Sequence, residues 1–364
     1  MYDIPILMLH SVNSDRTGNP MGRLSISPEG LEAYLKVFQK WHYQMISITE
    51  LLEGKYDPER NCIVLTFDDG YKDNLTVARH ILEKYLAHAT VFVNPGYCSK
   101  ESDPSSDWGF MTWDEMKQAE KSGVFDIQAH TMTHEFIFVS DQIIDYYTPE
   151  KFDRYYWLAW MLFPESPLKW DSCAYTYRDR IPVGYPIFEY GRRISQKKFI
   201  PNQKYIEFLT NEYVKGNLHP NSADFAGVHG KYEEDTEYEE SVVWEISKCK
   251  EILEQQLNKK IIALCFPGGG YNDLALKIAI NSGYKCYIAA SRLKVGKNYE
   301  HLEKISKGYF DSLNRISFSL IHPGWLPDAF FDKWVAKLTL GQFQRIPAYT
   351  LFKDIFSKLL HIKK

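Results

Sequence analysis

Short, almost uninterrupted apolar runs alternate along this chain with stretches of helical periodicity. That alternation restricts the fold more than any other feature. Ile4–His10 and Cys62–Phe67 lack the in-and-out pattern of a half-exposed strand and read as strands covered on both faces. Further short strands are expected at Met45–Ile48, Thr90–Val93, Asp126–Ala129, Ile261–Phe266 and Cys286–Ala290. Helical patterns separate them. Ser27 is placed to cap, and Pro28 to start, a helix reaching about His42. Others cover about Asp73–Leu86, Thr112–Ser122, Glu240–Asn258 and Asp273–Ser282. Strands joined by crossover helices form a parallel sheet with helices outside it. The expected class is α/β, a distorted (β/α) barrel of seven or eight strands with a large aromatic-rich insertion.

The insertion is where the rhythm fails, between about Val139 and Glu239. Of the 68 residues from Tyr146 to Tyr213, 18 are aromatic, against 15% for the chain. Removing this segment leaves about 260 residues, close to the roughly 250 of a β/α barrel. The expected division is therefore a discontinuous barrel over 1–138 and 240–345, with an inserted subdomain over 139–239. Aromatic faces stack on sugars and Arg forks bind carboxylate or phosphate, so the subdomain is a candidate for substrate recognition. Large side chains for a core of its own are the stronger explanation of the composition. The acidic run Glu233–Glu240 reads as a solvated loop before a helix. Residues 346–364 form an expected amphipathic helix with basic ends, suited to packing on the barrel or to peripheral contact with an anionic membrane.

Charge and cysteine usage narrow the partners. Lys and Arg number 43 against 47 Asp and Glu, a net charge of −4, which excludes a general nucleic-acid binder. The chain starts Met-Tyr-Asp without a basic n-region, and no stretch approaches about 20 apolar residues. The six cysteines are scattered with no Cys-x-x-Cys pair and read as reduced thiols. The expectation is a cytoplasmic protein.

Three segments that follow expected strands could carry chemistry. In Thr66-Phe67-Asp68-Asp69-Gly70, adjacent carboxylates repel unless a cation or proton is shared; a metal on one would leave the other as a base. In His130-Thr131-Met132-Thr133-His134, histidines at i and i+4 share a face if the backbone makes a helical turn. Two histidines and a carboxylate are a three-ligand metal pattern with an open position. In Phe266-Pro267-Gly268-Gly269-Gly270-Tyr271-Asn272, a Gly-rich turn lets backbone N–H groups approach a ligand. No Gly-Lys-Ser/Thr follows, so it is not a P-loop.

Together and in this order, the three segments resemble the motifs of the polysaccharide deacetylase family, the carbohydrate esterases with a NodB homology domain. Leu7-Met8-Leu9-His10-Ser11 also resembles the start of many bacterial members. The resemblance covers residues 1–138 and 240–325. It implies that Asp68 is the general base and that Asp69, His130 and His134 hold a divalent metal, zinc first. It implies further that the Gly268 N–H stabilises the oxyanion and that His322, in Leu320-Ile321-His322, is the acid. His10 is the rival for that last role. His10, Tyr71, Pro267, Gly269, Tyr271, Arg292, Trp325, Tyr190 and Arg192 are candidate substrate contacts. The family's third motif often begins with an Arg that orients the base. Cys265 stands there instead, and Arg292 is the expected substitute.

The implied activity is metal-dependent removal of an N-acetyl group from an amino sugar, in a polysaccharide or a nucleotide- or lipid-linked precursor. Two alternatives stay open: a deformylase or other C–N amidohydrolase on a lipid-linked amino sugar, and a glycan-binding protein that keeps the scaffold without turnover.

Overall fold

The computed structural model describes residues 3–14, 24–98, 107, 109–163, 174–290, 298–316 and 332–337. Eight strands form one parallel sheet. Seven follow the spatial order Ile6–Leu9, Cys62–Phe67, Ala89–Val93, Phe125–Ala129, Ala263–Cys265, Cys286–Ala290 and Asp311–Arg315. Gln44–Ile46 pairs with the first half of Cys62–Phe67. The last strand returns to the first: Leu7 pairs with Ile316, and the Met8 N–H donates to the Ile316 carbonyl at 2.9 Å. The sheet is a nearly closed α/β barrel, as expected.

Side-chain alternation splits the barrel into two apolar layers. Ile63, Leu65 and Phe67 pack with Leu31, Leu35 and Phe38 of the Pro28–Lys40 helix. Val64 joins Ile6, Phe92, Ala263, Cys265, Ile288 and Leu313 in a separate cluster. The second set is the inner face. The same parity aims Asp68, Cys265 and Arg315 inward at the C-terminal mouth, where parallel barrels place their sites. One seam is weak, because Leu264 and Ala129 form the single residue pair between their strands. Gln128 bridges it: its Oε1 accepts the N–H groups of Ile262 at 2.8 Å and Ala263 at 3.0 Å.

A second core lies within the segment expected as an insertion. Phe136–Tyr146 pairs antiparallel with Pro186–Arg192, and Gln203–Val214 is a helix. Tyr147, Phe152, Tyr155, Trp157, Phe188 and Tyr205 are buried together there. The strand Phe136–Tyr146 crosses the expected 138/139 boundary. Its period-2 signal is broken by register shifts between Phe138 and Ile143 and between Ile143 and Asp145. The acidic run is not simply a loop: Asp235–Val243 is helical, and Asp235 and Glu237 sit in its first turn, where the helix dipole favours negative charge. Arg193 closes this region by donating to both oxygens of Glu233 at 2.6 Å.

Among the described residues, five cysteines are free thiols, and no helix is long and apolar enough to cross a membrane. The expected 346–364 helix lies outside the described residues.

Candidate metal centre and catalytic site

The two aspartates diverge because the chain turns sharply where the strand ends. Asp69 and Gly70 take left-handed φ values of 73° and 78°. A Cβ at Gly70 would fall 2.8 Å from Val93 Cγ1, so glycine is required there. Asp68 turns inward, where Arg315 donates to its two oxygens at 2.6 and 2.8 Å. Burial alone would raise the Asp68 pKa, but Arg315, with smaller contributions from His130 and His10, holds it at about 2. The arginine that orients Asp68 is therefore Arg315. Cys265 only brings its thiol within 3.9 Å of each Asp68 oxygen, and Arg292 lies outside the described residues.

The histidines are not joined by a helical turn. Residues 130–135 are an irregular loop, and Thr131 takes a φ of 66°. Sharing of one face is enforced from outside instead. The Gly96 N–H donates to the Met132 carbonyl at 2.8 Å, and the Met132 N–H to the Glu245 carbonyl at 2.8 Å. The buried Glu245 carboxylate accepts from the Thr133 N–H at 2.8 Å and the Thr133 hydroxyl at 2.5 Å. Burial pushes the Glu245 pKa up to about 7. Glu245 lies in a π-helical turn, Trp244–Lys248, inside the long helix; such turns recur at functional sites. His130 and His134 reach the same carboxylate, with Nε2 atoms 3.5 and 3.9 Å from Asp69 Oδ1.

Among the described residues, two donor sets have all ligand atoms within 4.8 Å of one another: Asp69, His130 and His134, and Asp68, His130 and Cys265. Chemistry separates them. In the second, both carboxylate oxygens are engaged by Arg315, and burial keeps the Cys265 thiol well above its ordinary pKa. The first fits a divalent cation. His130 Nδ1 lies 2.8 Å from the Cys265 carbonyl, an arrangement that puts the proton on Nδ1 and leaves the Nε2 lone pair toward Asp69. Burial lowers the pKa of both histidines, which keeps them neutral as ligands must be.

The Gly-rich loop meets the insertion here. Gly268 has a φ of 59°, and a Cβ on it would lie 3.1 Å from Nε and Nη2 of Arg192. Arg192 stacks on the Phe136 ring at 3.6 Å and brings Nη1 to 2.7 Å from His134 Nδ1 and 3.3 Å from the His134 carbonyl. Burial lowers its pKa to about 10. Pro267 is buried, and the Gly269 N–H donates to the Phe266 carbonyl at 2.9 Å.

The other candidates divide. His10 is near the base, with Nε2 4.0 Å from Asp68 Oδ2. The Tyr71 ring is buried and stacked on Phe110 at 5.3 Å. Tyr190 packs on Trp157 at 4.4 Å, and Tyr271 on Phe266 at 5.1 Å. These three rings take part in packing. His322 and Trp325 lie outside the described residues. Arg315 and Glu245 were not legible as site residues in the sequence.

Comparison with known proteins bears on the fold and on the span that holds this site. Residues 55–154 match the family model described as polysaccharide deacetylase; that span contains Asp68, Asp69, His130 and His134. YxkH of Bacillus subtilis (strain 168), whose name places it among the polysaccharide deacetylases, is 31% identical over 134 residues. That match covers 36% of this chain and 43% of the relative, so the chain spans under half the length of the curated relative it matches. A de-N-acetylase from Aggregatibacter actinomycetemcomitans shares the fold with a TM-score of 0.52 at 19% identity, covering 91% of this chain and 99% of that one. The BpsB deacetylase domain from Bordetella bronchiseptica gives a TM-score of 0.51 at 14% identity, over 87% and 97%. Residues 55–154 thus carry the likeness to the polysaccharide deacetylase family, and the chain shares its fold with these two solved deacetylases.

Proposed function

We propose that this chain is a metal-dependent hydrolase that removes the N-acetyl group from an amino sugar of a glycan or its precursor. The observation that carries this reading is the division of labour between adjacent aspartates: Asp68 is paired with Arg315, while Asp69 faces two histidines.

Asp69, His130 and His134 would hold the ion, with zinc suited to their nitrogen and oxygen donors. Bound there, it supplies Lewis-acid polarisation of the amide carbonyl and a more acidic water. Asp68 accepts the proton of the attacking water. Its low pKa makes it a weak base that is always ionised, and Arg315 fixes both oxygens so that the carboxylate does not rotate away. The Gly268 N–H is the donor for the oxyanion of the tetrahedral intermediate; one such donor is commonly worth about 100-fold or more in rate. His10 stands 4.0 Å from the base and can return a proton to the leaving amine, with His322 as the rival acid.

The test is release of acetate and of formate across a panel of N-acyl amino sugars and their oligomers, with bound metal quantified alongside. Acetate release that depends on metal is expected. Formate release alone, or binding without turnover, would contradict the assignment.

A further inference from the structure

We propose that Arg192 forms an anion-binding subsite beside the metal centre, which selects an amino sugar bearing a carboxylate or phosphate.

Arg192 is half-buried at the end of the Pro186–Arg192 strand. Among the described residues Arg192 has no acidic hydrogen-bond partner: its side chain makes polar contacts only through Nη1, which donates to the His134 carbonyl at 3.3 Å and lies 2.7 Å from His134 Nδ1. The acids around it are engaged elsewhere. Glu233 takes Arg193, Glu245 takes Thr133, and Asp68 takes Arg315. Asp69 acts on Arg192 only through its charge and is needed as a metal ligand. Nε and Nη2 therefore keep three N–H groups without a partner among the described residues, and these lie against Gly268, where a Cβ would approach to 3.1 Å.

The surroundings hold that fork in place. The Phe136 face lies 3.6 Å below the guanidinium, and a Cβ at Gly270 would lie 3.4 Å from the Arg192 stem. The two glycines thus leave room for an arginine supplied by a distant segment, with its free donors beside the loop given the oxyanion role. Charge points the same way. Asp68 and Asp69 balance Arg315 and Arg192, so a divalent ion leaves the site with an excess of two positive charges. An anionic substituent next to the reacting amide offsets that excess, and a fork with free Nε and Nη2 matches a carboxylate or phosphate bidentately.

This inference rests on the deacetylase reading only for where the amide sits. The experiment is equilibrium binding of N-acetylglucosamine, N-acetylglucosamine 6-phosphate and N-acetylmuramic acid to the full zinc-loaded chain, repeated with Arg192→Gln and Arg192→Lys. At least one anionic sugar is expected to bind about tenfold or more tighter than the neutral one. Arg192→Gln should abolish that preference, and Arg192→Lys should keep part of it. Equal or undetectable binding of both anionic sugars to the wild type overturns the inference, whatever the variants do. So does a preference that survives in Arg192→Gln. If Arg192→Gln loses zinc, the wild-type preference is measured against salt: a decline supports the subsite, and salt independence overturns it. Acetate assays on the same sugars separate the two readings. Arg192-dependent preference without acetate release leaves the subsite standing and removes the chemistry; acetate release from sugars bound equally does the reverse.

Discussion

Arg315 holds both carboxylate oxygens of Asp68, at 2.6 and 2.8 Å, from a position 247 residues further along the chain. The strands that carry them are separated by the first strand of the barrel, Ile6–Leu9. This ion pair spans the barrel mouth, and both partners are buried. Removing one leaves the other charge uncompensated. Arg315→Gln is expected to destabilise the protein by about 3–5 kcal/mol, read by denaturant unfolding. It should also lift the Asp68 pKa from about 2 toward the ordinary carboxylate value. The acid limb of the pH–rate profile then moves to higher pH; an unmoved limb would assign the base elsewhere.

Glu245 fastens the loop between the two histidines. Glu245→Ala is expected to weaken zinc binding by about tenfold, measured by competition with a chelator. Glu245→Gln keeps an acceptor for the Thr133 N–H and a donor for its hydroxyl, so its affinity should stay close to wild type.

The same residue predicts a pH effect on stability. Its folded pKa of about 7 lies above the ordinary 4.5, so the folded state binds more protons between those values. Stability from this group is present below about 4.5 and is lost as pH rises through 7. Asp73, also raised to about 7 by burial, contributes equally to wild type and variant and cancels in the comparison. The melting temperature of the wild type relative to Glu245→Gln should therefore fall as pH rises from about 4.5 to 7. A constant gap would contradict the raised pKa.

The two donor sets make opposite predictions for cysteine. With the metal on Asp69, His130 and His134, Cys265→Ser should retain about one zinc per chain while His130→Ala loses it, by elemental analysis. Loss of zinc in Cys265→Ser would favour the other set.

Gly268→Ala tests the junction with the insertion. The left-handed backbone costs about 1–3 kcal/mol with a side chain, and the new Cβ would lie 3.1 Å from the Arg192 guanidinium. Lower stability together with altered zinc affinity is expected, because Arg192 touches His134. Reduced stability alone would show that the contact does not reach the metal site.

Much of this was legible in the sequence wherever strands are continuous apolar runs. Cys62–Phe67 announces both a buried strand and the Asp68-Asp69 turn that ends it. Arg315 carries no such signal, because its strand, Asp-Ser-Leu-Asn-Arg, has one apolar residue and no run. Its partner is set by barrel closure, which no local pattern encodes. The i, i+4 spacing of the histidines suggested a helical turn, but Glu245 and Gly96 impose the geometry from other segments. The aromatic excess suggested sugar stacking. Much of it instead forms a second core, and it is an arginine at the edge of that core, Arg192, that reaches the site.

The most direct test of the central claim is acetate release by Asp68→Asn with its zinc content measured in the same sample. The account predicts about one zinc per chain, an intact fold and no acetate above background from N-acetylated amino sugars that the wild type deacetylates. Wild-type acetate release by the zinc-loaded variant would contradict the assignment of Asp68 as the base and, with it, the division of labour between Asp68 and Asp69.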